Sequence, residues 1–173
     1  MASYYYLISS LPMLQPDMDP AFDYTHFLKL CRTAVSESVY HQLEALTVRS
    51  DKGPLVAKWA VFYRCLTSEL NYQRNMKLGK PCVSPENREA GVAETVAAAL
   101  AARNPLEAEL ILLKLQFNRL DAMIGLHNFD EYALFGYALK LLLLERKRGF
   151  RYEDGKRAFE GLLSQIQQRI FSI

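Results

Sequence analysis

Apolar residues recur at helical spacing through most of this chain, and glycine and proline fall between the periodic stretches. A first helix is predicted from about Asp23 to Thr33, with Phe27, Leu28 and Cys31 inward. A second runs from about Ser36 to Thr47, with Val39, Leu43 and Leu46 inward. Arg49 to Gly53 break the pattern, and Pro54 suits the first position of a long helix reaching about Leu78. Its stripe is Leu55, Trp59, Phe62, Leu66 and Leu70. Gly79 to Ser84 form an internal linker with the freedom to be mobile. Ser84-Pro85 reads as the cap and first turn of an alanine-rich helix reaching Ala102.

Asn104-Pro105-Leu106-Glu107 opens the next helix, with glutamate three residues after the cap. Leu106, Leu110, Leu113, Phe117, Leu120 and Ile124 form its apolar stripe. Glu107, Lys114, Asn118 and Asp121 form its wet face, and Gly125 ends it. Asn128-Phe129-Asp130-Glu131 repeats the cap pattern before a helix reaching Lys147, apolar nearly all round between Tyr132 and Leu144. Such a helix is central in a bundle or covered by another protein. Gly149 stops it, and a last helix is predicted from about Tyr152 to Phe171, with Phe159, Leu162, Leu163, Ile166 and Ile170 inward.

The fold class is therefore all-α: one helical domain over residues 1–173, with about seven helices and no strand pair. Residues 1–22 are a lead-in, broken by Pro12, Pro16 and Pro20. Its three consecutive tyrosines suit extended structure, yet no second strand is in sight. A short extended or helical segment packed on the bundle is expected. The 173 residues match one ordinary domain.

Charge changes this picture little. Twenty-one basic residues stand against 19 acidic ones, and a net charge of +2 does not describe a general nucleic-acid binder. Two local basic sets remain. One is Arg146, Lys147, Arg148, Arg151, Lys156 and Arg157, which either complements a helix end or docks on an acidic or lipid surface. The other is Arg64, Arg74 and Lys77, a solvated helix face or a partner contact. The start has no positive segment followed by a long apolar run, so no signal peptide is expected. The 13-residue run Tyr132–Leu144 falls short of the roughly 20 residues a membrane span needs.

Candidate chemistry is sparse. There is no phosphate loop, dinucleotide fingerprint or nucleophile elbow. His26, His41 and His127 have no second ligand at helical spacing. Cys31, Cys65 and Cys82 fit no zinc pattern, and Cys31 and Cys65 read as small buried hydrophobes in a reducing compartment. Glu107 and Glu109 are two apart on a helix and point in different directions, with Glu107 better explained as a cap. No catalytic residue, metal site or cofactor is expected. An enzyme would require titratable groups from different helices to converge in a pocket.

Several segments carry a resemblance. They are Tyr4-Tyr5-Tyr6-Leu7-Ile8-Ser9-Ser10-Leu11-Pro12, Leu66 to Arg74 with Leu78-Gly79, Asn104 to Glu109, and Phe129 through Tyr137–Leu141 to Glu145-Arg146. In these the chain resembles a small bacterial family encoded with the genes of V-type (A/V-type) ATPases. The last segment is also similar to a helix of the V-type ATPase connector, the all-helical socket that joins the central rotor stalk to the membrane ring. That socket is built of three similar helical units, whereas this chain is about half its length. Only a faint echo links Tyr63–Leu70 to Tyr137–Leu144.

The resemblance implies a non-catalytic subunit or accessory at the central stalk. Its partners would be other V-type ATPase subunits, of the central stalk and the membrane ring, with no nucleic acid. Its location would be cytoplasmic, reaching the membrane only through the complex. Tyr4, Tyr5, Tyr6, Arg74, Lys77, Arg146, Arg148 and Arg151 are the candidate interface residues. The alternative is a helical adaptor unrelated to the ATPase, marked by an exposed apolar groove.

Overall fold

A computed structural model describes residues 4–149 together with Glu160, Gly161 and Leu163. The described residues form seven α-helices and no strand. These are α1 (Tyr5–Ser10), α2 (Tyr24–Cys31), α3 (Glu37–Glu44), α4 (Pro54–Lys77), α5 (Ala90–Ala101), α6 (Pro105–Ile124) and α7 (Glu131–Arg148). The all-α class expected from periodicity is the observed one. The helix predicted from Tyr152 to Phe171 lies outside the described residues, apart from Glu160, Gly161 and Leu163. Leu163, expected inward, is exposed.

Local chemistry sets most of the helix ends. Asp23, Ser36 and Asn104 accept from the backbone N–H of His26, Val39 and Glu107, which fixes the starts of α2, α3 and α6. The Glu107 carboxylate accepts from the Arg103 amide at 3.2 Å, as a capping residue should. Gly53, at φ +115°, turns the chain so that Pro54 can open α4.

Two expected starts are corrected. Ser84-Pro85 does not cap α5, which begins at Ala90. Residues 85–89 stay in a loop because Arg88 is drawn down to Glu69 on α4 and the Asn87 carbonyl accepts from the Cys65 thiol at 3.3 Å. The cap of α7 is Asp130 rather than Asn128. Its carboxylate accepts from the amides of Tyr132 and Ala133. Burial alone would raise the Asp130 pKa, but bonds from His127 and these amides hold it below the usual carboxylate range.

The core forms around α7, which packs on α2, α4 and α6, while α5 closes against α4 and α6. Leu134, Leu139 and Leu141 are fully buried, so the nearly all-apolar helix is central in the bundle. Gly136 is what permits one close approach: a Cβ there would overlap the Ile124 side chain. Trp59 is fully buried, stacks on Tyr63 and donates Nε1–H to the Val48 carbonyl at 2.9 Å. Tyr24 joins three helices. Its amide donates to Glu145 at 2.6 Å and its hydroxyl to the Leu43 carbonyl at 2.7 Å, and burial raises its pKa. No helix among the described residues is long and apolar enough to cross a membrane.

Candidate partner interface

The lead-in folds back as the short helix α1. Tyr4 is buried, and its amide donates to the Phe129 carbonyl at 2.7 Å, so it anchors the segment and offers no surface. The neighbouring residues are turned outward. Tyr6 is 89% exposed and Tyr5 51%. Their rings meet edge-on at 5.5 Å, and Tyr5 lies 4.6 Å from the ring of Phe129. Phe129 and Leu126, in the turn between α6 and α7, are 39% and 96% exposed. The tyrosine triplet is thus divided: Tyr4, which precedes α1, is held inside, while Tyr5 and Tyr6 in the first turn of the helix form an exposed aromatic ridge.

The basic end of α7 is largely turned inward. Arg146 pairs with the half-buried Glu109 and donates to the Tyr63 hydroxyl at 3.4 Å, joining α7 to α6 and α4. Lys147 donates to the Pro16 carbonyl at 3.2 Å and lies 3.8 Å from Asp19, holding the proline-rich lead-in against the bundle. These two cations are engaged by internal bonds, which go beyond the helix-end electrostatics that spacing suggests. Arg148 is half-buried and makes no ion pair among the described residues; Arg151, Lys156 and Arg157 lie outside them.

On α4, Lys77 and Arg74 differ in the same way. Lys77 donates to the Leu100 carbonyl at 2.7 Å and so satisfies the C-terminal end of α5. Arg74 makes no ion pair among the described residues. It lines an open groove of about 400 Å³ together with Arg49, Arg64, Thr67 and Asn71. A larger groove, about 970 Å³, runs along the other side of Arg64 beneath the 79–89 loop.

That loop carries an ion pair that spacing did not reveal. Glu69 is 2% exposed. Arg88 grips both its oxygens, at 2.9 and 2.7 Å, and Gln73 adds a bond at 2.7 Å. Gln73 also reaches the Ala93 carbonyl, so α4, the loop and α5 share one network. The bond from Arg88, then that from Gln73, outweighs burial and holds Glu69 below the usual carboxylate range. The readable signal was a glutamate three residues after Leu66, on the inward stripe of α4.

Burial pushes the Cys31 thiol up to about 12, which keeps it protonated. Cys65, expected to be buried, is half-buried and lines the larger groove with Cys82. His26 and His41 are exposed, and His127 stacks on Tyr132. Contrary to the reading from spacing, two of the histidines do meet carboxylates three or four residues away: His41 lies 3.8 Å from Glu37 and 3.4 Å from Glu44, and His127 is paired to Asp130. Among the described residues no group of three or more His, Cys, Asp or Glu could hold a metal ion. Comparison with protein-family models, curated proteins and solved structures finds no match to this chain.

Proposed function

We propose that this chain is a non-catalytic component or accessory of a bacterial V-type ATPase, placed at the central stalk as the socket-shaped connector is. The four resembling segments support the choice of machine. An interaction role is carried by one observation above the others, the exposed ridge of Tyr5, Tyr6 and Phe129. Rings held this way are pre-ordered for contact. Covering an exposed aromatic side chain with a partner contributes about 1.5–3 kcal/mol. The bundle behind the ridge, with α7 at its centre, is suited to transmit force between two partners. In this reading the protein works in the cytoplasm and meets the membrane only through the assembled complex.

Affinity purification from the native cell at low salt, followed by identification of what accompanies the protein, tests the proposal. V-type ATPase subunits are expected with the wild-type chain and depleted with Tyr5→Ala/Tyr6→Ala. Absence of every such subunit from the wild-type preparation would sink the ATPase assignment and leave the unrelated adaptor.

A further inference from the structure

The groove beside α4 gathers three guanidinium groups. Arg64, Thr67, Asn71 and Arg74 follow one another at i, i+3, i+7 and i+10 and so share one face of the helix. Arg49 joins them from the turn before α4. That turn is fixed rather than loose. Trp59 Nε1 donates to the Val48 carbonyl, the Ser50 hydroxyl accepts from the Thr47 amide at 2.9 Å, and the Thr47 hydroxyl accepts from the Arg49 amide at 3.3 Å. None of the three arginines makes an ion pair among the described residues, whereas Arg88, Arg119 and Arg146 do and Lys77 bonds a helix-end carbonyl. The acidic residue lining the groove is Asp51, so its charge balance is positive.

The spacing selects the kind of anion. Arg64 and Arg74 are separated by about 15 Å along the helix axis, more than one compact anion bridges. An extended strip of negative charge matches that length. A helix presenting carboxylates at i, i+3, i+7 and i+10 does so with the same rise as α4. Guanidinium and carboxylate pair in bidentate fashion, and the Asn71 amide offers a neutral donor between them, while the Thr67 hydroxyl is already donated to the Tyr63 carbonyl at 2.9 Å. A nucleic-acid strand suits the groove less well. The aromatic residue lining it is Tyr63, whose ring is stacked on Trp59 and whose hydroxyl accepts from Arg146, so it offers no platform for a base.

We infer that the Arg49–Arg64–Arg74 groove docks an acidic α-helix of a partner protein, laid along the outer face of α4. This rests on the reading of the chain as an interaction component, and it does not depend on which machine the partner belongs to.

The test uses the full chain and a fluorescently labelled helical peptide of roughly 18 residues, long enough to hold a helix. The peptide carries glutamates at i, i+3, i+7 and i+10 on an alanine-rich background. Fluorescence anisotropy at about 0.05 M salt should show binding that weakens about tenfold or more at 0.5 M. Arg64→Gln/Arg74→Gln should weaken it by a similar factor while leaving thermal unfolding unchanged, and Arg148→Gln should leave binding unchanged. Absence of binding, equal binding of a peptide with the same glutamates scattered around the helix, or unaltered binding by the double variant overturns the proposal. So does displacement by an oligothymidylate at lower concentration than by unlabelled peptide. Failure here with ATPase subunits still recovered from the cell refutes the groove alone. Success here with no such subunits recovered refutes the ATPase alone.

Discussion

The basic end of α7 and the arginine-lined face of α4 carry similar charge and put it to opposite uses. Arg146 and Lys147 reach back to Glu109, Tyr63 and the lead-in around Pro16, so their charge holds three distant parts of the chain together. Arg49, Arg64 and Arg74 find no acidic partner within the described bundle and face a groove. The difference is one of surroundings. α7 is central, so Arg146 and Lys147 at its end meet other elements, whereas Arg64 and Arg74 line an open groove on the outer side of α4. A run of basic residues is therefore a poor guide to a docking surface until it is known which cations the fold has already engaged.

The largest effect is expected where the two regions share a support. Trp59 fills the core between them and its indole N–H holds the turn that presents Arg49. Trp59→Ala should destabilise the fold by about 3–5 kcal/mol, read from a denaturant titration. A loss below about 1 kcal/mol would show that the turn and α4 are held by something else.

The Glu69–Arg88 network sharpens the comparison, because it is a buried carboxylate that an arginine of the loop has found. Glu69→Gln should cost about 1.5–3 kcal/mol at pH 7, the worth of hydrogen bonds to a charged group. Glu69 has a lowered pKa in the folded protein. Its contribution is therefore complete above the unfolded carboxylate pKa of about 4.3 and lost as pH falls through the lower folded value. The difference between wild type and variant should shrink in unfolding titrations taken from pH 6 down to pH 3. A difference independent of pH would mean that the carboxylate charge plays no part.

Much of this fold was legible in the sequence, and the reasons for the rest are physical. Helix α4 was readable from Gly53-Pro54 to Gly79, and the starts at Ser36 and Asn104 from their side chains, because caps and periodicity are local. Ser84-Pro85 has the same local signature and failed, since Glu69, 19 residues from Arg88, holds the loop out of the helix. The fate of the basic residues was least legible. Glu109 and Arg146 are 37 residues apart, and Lys147 meets Pro16 across 131. Spacing placed Arg74 and Lys77 together on α4, yet Lys77 reaches away to Leu100 while Arg74 is joined by Arg49 from before the helix.

The smallest effects decide whether the opening contrast holds. Arg146→Gln breaks a half-buried pair and leaves Glu109, 15% exposed, without its cation. A loss of about 1–2 kcal/mol is expected, more than an exposed pair is worth and less than a fully buried one. Arg74→Gln removes the same charge from an exposed helix face where it bonds to nothing in the described bundle. Its cost should stay within about 0.5 kcal/mol, the range of ordinary surface substitutions. Matched urea titrations of the two variants measure the difference directly. If Arg74→Gln costs as much as Arg146→Gln, then Arg74 is engaged inside the fold and the groove has no free guanidinium to offer. If both are neutral, Arg146 does not hold α7 to α6, and the end of α7 regains its standing as a docking surface.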